Sequence, residues 1–468
     1  MNATNKSDMK KETKILNFKT LLTCILSLTL LTGLPYQSRA AADTKSKKKE
    51  VFNTETLKAE LSLDFRPNVE LELFEHDAII RPAKGNKIGI EVSYIAEGLD
   101  EKEAQILKKA MKANLIEKSG ENIKLSNRFY EHYSQFSLGP LWGKIYMHLK
   151  NGKKLSIDKF KFTKIEIFLP RDMDLTINSK YNSLKQKQSV IGNVTITGYD
   201  MEYSVPSIKG DIKIDGKYST FYIPEAGDAK IKLYECKFRS DKLGNTEASN
   251  KYSEFYVNEM ESLTITAYEG EIEANSLTDA NINAKYCEID LGDGNNITAD
   301  LYEGHLNIEK AKQIELNGKY LESRIGTIAT FDMSNGYEND FSIKQIDQLT
   351  SRNGKYCNFE IGTLTKSAKL LTSYEDDLSI DRVKASFSAV ETDGNYMVIK
   401  LGVEQAANYI LEGEIQYYNF ELEQSNFSNI VHKEHGNKLK YNYQRGADKN
   451  DKRISLSGYE IDVIINHL

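Results

Sequence analysis

Residues that cross-link or punctuate a chain are scarce here: 7 prolines, 4 cysteines and 1 tryptophan among 468 residues. Cys24 lies in the leading segment, which leaves Cys236, Cys287 and Cys357 in the body of the chain. An odd number argues against a complete disulfide framework. After residue 34 no apolar run reaches transmembrane length. Nucleophile elbow, P-loop and dinucleotide fingerprint are all missing. What the chain has instead is tyrosine, 27 of them, with 40% hydrophobic and 28% charged residues. That composition is rich in strand formers and is neither disordered nor membrane-spanning.

The first 40 residues read as a signal peptide. Lys6, Lys10, Lys11, Lys14 and Lys19 precede an apolar run, Thr20–Leu34, and small residues at Ser38/Ala40 or Ala40/Ala42 suit cleavage. An uncleaved anchor is the competing reading of that run. Cys24 has Thr23 before it, which fits a lipidation site poorly. Cutting after Ala40 removes six positive and two negative charges and takes the formal charge from −6 to −10. The expectation is an exported protein, in the periplasm or at the cell surface, with no transmembrane segment after cleavage. So acidic a chain is a poor partner for nucleic acid.

The body repeats. Tyrosines recur from Tyr181 to Tyr396 at irregular steps of 16 to 22 residues. The irregularity vanishes on aligning apolar pairs. After Lys-Tyr the pair falls three and five residues on, as in Phe255/Val257 and Ile289/Leu291; after Tyr-Glu it falls four and six on, as in Ile272/Ala274 and Leu306/Ile308. First members then run 221, 238, 255, 272, 289, 306, 323, 341, 359 and 378, with six steps of 17 before steps of 18, 18 and 19. A second alternation precedes each pair, as in Leu263-x-Ile265-x-Ala267. Two short strands in 17 residues leave no room for a crossover helix. The expected fold is mainly β: a single-stranded parallel β-solenoid of about 17-residue coils, each strand stacked on its equivalent one coil away. An antiparallel meander would need systematic tight Asn-Gly or Asp-Gly hairpins.

The boundaries read as an α+β capping region at 50–178, the solenoid at 179–422, and a polar excursion with a C-terminal capping coil at 423–468. In the first region Asp100 and Glu103 form a capping box for a helix. Ile106, Leu107, Ala110, Met111 and Leu115 make its apolar face, and Gly120 ends it. Signal peptide, strand–helix–strand lead and reiterated KYxxFxI and YExxLxI coils resemble the adhesin-type β-solenoid proteins of Bacteroidetes. The resemblance spans nearly all of the mature chain. It implies fold and envelope location, with no catalytic residues to carry over.

Stacked coils make columns. Four positions before the core residue stand Lys251, Tyr268, Lys285, Tyr302, Lys319 and Tyr337; three before stand Tyr252, Glu269, Tyr286, Glu303, Tyr320, Glu338 and Tyr356. Alternation keeps like charges two coils apart and sets each lysine between rings, in reach of glutamates on the diagonal. A stabilised surface accounts for the pattern. Tyr252, Tyr268, Tyr286, Tyr302, Tyr320, Tyr337 and Tyr356 also form a candidate aromatic strip for a glycan or another envelope protein. Glu271, Glu273, Glu288 and Asp290 should share an acidic patch, where stacked carboxylates favour a hard cation such as Ca2+ or are simply solvated. The three late cysteines share a column of small residues and are too far apart to bridge. His432 and His435 flank Glu434 without a third ligand.

The expected function is an exported non-enzymatic binding or scaffolding protein, with no required cofactor. The alternative is a polysaccharide lyase or hydrolase using Glu271, Glu288 and Asp290. Catalytic β-helices build clefts from long insertions between coils, and residues 221–380 have almost none.

Overall fold

A computed structural model describes residues 55–137, 143–423, 425, 427–446 and 451–468. The proposed signal peptide lies outside them. The fold is mainly β with repeated strands, as expected, and has one α-helix among the described residues.

Parallel pairing follows the repeat length. Phe238 is in register with Phe255, Phe341 with Phe359, and Phe359 with Leu378. All lie in the core, and the rings stack at 5.4 Å (Phe238–Phe255) and 5.1 Å (Phe341–Phe359). Ser323 interrupts this column; it is 1% exposed and its Oγ has no partner.

Strand pairing runs without a break from Glu254 to Tyr337. One left-handed residue interrupts this run in each 17-residue repeat: Glu269 (φ 47°), Tyr286 (58°), Glu303 (53°) and Tyr320 (61°). The same conformation recurs at Tyr218, Glu235, Tyr252, Glu338, Tyr356, Glu375, Tyr396 and Glu460. Neither Tyr nor Glu favours it, and each costs about 1–2 kcal/mol there. Parallel neighbours in register on either side hold them there.

Inside the bend lies the small-residue column. Its side chains satisfy the coil before: Ser253 Oγ accepts from Cys236 N at 2.9 Å, Asn339 Oδ1 from Leu321 N at 3.0 Å, and Asp376 Oδ1 from Cys357 N at 2.9 Å. Cys236, Cys287 and Cys357 are free and buried in it. Their small size and weak polarity suit a tight position that must still meet a backbone N–H.

At the N-terminal end the helix spans Glu101–Asn114, with both halves of the Asp100/Glu103 capping box formed and Leu107, Ala110 and Met111 buried. It stops before Gly120, which instead makes the turn (φ 62°) between Ile116–Ser119 and Asn122–Ser126. The repeat begins earlier than residue 179. Strand Asn68–Phe74 pairs in parallel with Asp174–Gln186, which also pairs with Ala78–Pro82. Between those two short strands Glu75 takes the left-handed bend (φ 57°). They repeat the strand–bend–strand pattern, without a tyrosine to reveal it.

The C-terminal end also differs from the sequence reading. Strand Arg453–His467 pairs in parallel with Ala389–Val403 on one side and with Tyr409–Leu422 on the other. The last strand in sequence is therefore internal, not a terminal cap. Capping falls to the polar excursion, which folds as an antiparallel hairpin, Ser428–His435 with Lys438–Arg445. Its second strand covers the edge of Tyr409–Leu422, and its Tyr441 and Tyr443 are buried against Phe420. An antiparallel hairpin cannot continue a parallel stack, so it closes an edge that would otherwise invite pairing with another chain.

Candidate functional site

The left-handed bends align the tyrosines. From Tyr181 to Tyr396, and on to Tyr459, each ring meets the next edge to face, with centroids 5.3–5.8 Å apart and planes at 67–89°. Tyr417 closes the series against Tyr459 at 5.1 Å. The ladder zigzags: a bend tyrosine such as Tyr286 meets Tyr268 and Tyr302, which precede the bends of adjacent coils. Two tyrosines in one column on adjacent coils would have rings about 4.8 Å apart, face over face, which is the disfavoured arrangement. Alternation between columns converts it into edge-to-face contact.

This accounts for the switching neighbours better than charge does. Among the described residues of the lysine column, Lys251 lies in cation–π range of Tyr234, Tyr252 and Tyr268, at 4.9–5.9 Å. Ion pairs between these lysines and the bend glutamates are not formed among the described residues; the pairs present lie elsewhere, as Lys237–Glu254 at 2.5 Å and Lys230–Glu247 at 2.8 Å.

Of the seven strip residues, Tyr252, Tyr268, Tyr286, Tyr320 and Tyr356 are 37–42% exposed. Tyr302 and Tyr337 are half-buried. Hydrogen bonds to Glu269 and Glu338 push the Tyr268 and Tyr337 hydroxyls up, and loss of water contact does the same at Tyr286 and Tyr320. These phenols are neutral at physiological pH, so the strip offers rings and hydroxyls without charge of its own.

The four acidic residues line two shallow concavities. Glu271 and Glu288 line a shallow concavity with Tyr286, His305, Tyr320 and Glu322. Glu273 and Asp290 line a second, with Asn307, Glu309, Arg324 and Lys344. The column is also broken by partners. Tyr256 donates to Glu271 Oε2, Asn307 Nδ2 donates to Asp290 Oδ1 at 2.7 Å, and His305 lies 3.4 Å from Glu322. Among the described residues no group of three or more His, Cys, Asp or Glu side chains converges as a metal centre would. His432, expected in a polar loop, sits on the hairpin, where its ring bonds the Tyr443 hydroxyl and Glu434 Oε1. No helix among the described residues is long and apolar enough to cross a membrane.

No family model and no curated protein matches the chain. A crystal structure described as that of a putative cell adhesion protein from Clostridium sporogenes aligns over 89% of this chain and 100% of its own, at 8% identity and a TM-score of 0.16. At that score the likeness fixes neither fold nor function.

Proposed function

We propose that this chain is an exported, non-enzymatic β-solenoid of the adhesin type, which binds glycan or protein at the cell envelope through its tyrosine face. The observation that carries the reading is the unbroken edge-to-face ladder with its bend tyrosines exposed. Core packing has no use for half-exposed rings, whereas repeated planar faces beside hydroxyls suit an extended, repetitive ligand. Parallel registers one repeat apart support the solenoid. The basic, apolar leader supports export. The partnered carboxylates and the near-absence of insertions between residues 221 and 380 support binding over catalysis.

The experiment is a glycan array and an envelope-protein pull-down with the mature chain, beside the triple variant Tyr252→Ala, Tyr286→Ala, Tyr320→Ala. Ligand capture should fall at least tenfold in the variant while its circular dichroism is kept. Capture unaffected by the triple variant, or cleavage of a polysaccharide that is lost in Glu271→Gln or Glu288→Gln, would contradict the proposal.

A further inference from the structure

The start of the stack holds a different kind of site. The first left-handed bend, at Glu75, is roofed by the small antiparallel sheet Tyr130–Ser137, Gly143–Leu149 and Lys154–Ile157. Between bend and roof lies a cavity of about 220 Å³. A register shift between Tyr130 and His132 brings Tyr130 and Tyr133, three residues apart, to the same face, with rings 5.4 Å apart. Phe160 and Phe162 also line it, 5.1 Å from each other, and His76 packs on Phe162 at 5.8 Å.

Polar groups of each kind converge on these rings. The Tyr133 hydroxyl donates to Glu75 Oε2 at 2.7 Å. Lys161 also lines the cavity. Burial pushes the His76 imidazole down against the opposing charge of Asp77, with Lys161 adding to the shift, so at neutral pH it offers one donor and one acceptor.

We propose that this cavity binds one neutral hexopyranose unit. Drug-sized ligands need roughly 300–1,000 Å³, so the volume admits one six-membered ring. A purely apolar guest would strip water from Glu75 and Lys161 without replacing its hydrogen bonds. A cation is opposed by Lys161 and an anion by Glu75. A neutral polyol meets both: its hydroxyls donate to the carboxylate and accept from the ammonium, and its C–H face lies on the rings, whose faces carry negative potential. The site is independent of the tyrosine ladder.

Saturation-transfer NMR on the mature chain tests it, with methyl glucoside, galactoside and mannoside as probes and p-cresol and tetramethylammonium as controls. At least one glycoside should receive saturation. Its affinity should weaken about tenfold in Glu75→Gln, which leaves a poorer acceptor, and measurably in Tyr133→Phe. Tyr286→Ala should leave it unchanged. The assignment is overturned if no glycoside responds, if p-cresol or tetramethylammonium binds more tightly than every glycoside, or if Tyr286→Ala abolishes binding that both pocket variants retain.

Discussion

Asn339 and Asp376 occupy the same position in different coils and make the same hydrogen bond, to Leu321 N at 3.0 Å and to Cys357 N at 2.9 Å. They differ in the second atom. Asn339 Nδ2 donates to Gly318 O at 2.8 Å, whereas Asp376 Oδ2, packed against Gly354, is buried without a partner. Burial pushes the Asp376 carboxyl up from 3.8 to about 6. A protonated Asp376 can donate as Asn339 does; an ionised one cannot.

Asp376→Asn should therefore stabilise the protein near neutral pH, by up to about 3 kcal/mol from the size of the shift. The sign follows from proton binding. Between about pH 4 and 6 the folded chain holds a proton that the unfolded chain has released, so the Asp376 contribution falls as pH rises through that window. His467, pushed down to about 4, acts in the opposite sense. The readout is thus the difference between variant and wild type in urea midpoints. It should be near zero at pH 4 and grow to a plateau above pH 6. A constant difference would contradict the assignment.

Bend conformation gives a second prediction. Glu303 is exposed and left-handed, so Glu303→Asn should hold or raise stability by up to about 1 kcal/mol, and Glu303→Val should lower it by 1 kcal/mol or more. Thermal unfolding of the two variants decides. Equal effects would mean that the bend is not left-handed in solution.

Ser323 gives a third. Its buried Oγ has no partner and it stands in register with Phe341. Ser323→Ala should stabilise by about 1 kcal/mol or more, because it removes an unpaired hydroxyl at almost constant volume. A loss of stability by chemical denaturation would show that the hydroxyl is bonded after all.

The three buried thiols give a fourth. Burial pushes each of them up, Cys357 to about 11. Ellman's reagent should find them unreactive in native protein at pH 8 and all reactive in guanidinium. Rapid native labelling of any one would place it outside the bend.

Much of this was legible in the sequence, and the remainder was hidden for definite reasons. Columns such as Phe238–Phe255 and Phe341–Phe359 declared themselves because a stacked core must repeat at the coil length. The capping box at Asp100 and Glu103 is local and was equally plain. Left-handed bends were hidden because Tyr and Glu are residues whose own preference argues against them; only their periodicity points there. The early coil at Asn68–Pro82 carries Glu75 without a tyrosine, and the repeat motif could not find it. Arg453–His467 bears the same pattern as any coil, so nothing in it distinguishes insertion between two others from addition at the end. The N-terminal cavity draws on residues from Phe74 to Phe162, most of them outside the repeat and none carrying its motif.

One geometric claim underlies the ladder and its proposed binding face: each coil of 17 to 19 residues adds one strand spacing. Lys237, Asp340 and Asp377 stand in one outward column, with Lys237 in register with Glu254, Asp340 with Asn358 and Asn358 with Asp377. Spin labels at Lys237 and Asp340 should lie about 29 Å apart, and at Lys237 and Asp377 about 38 Å, at about 4.8 Å per coil. Pulsed electron–electron resonance on the two doubly labelled variants measures both. Distances that grow with coil number at that increment support the stack; a second distance equal to or shorter than the first would contradict it.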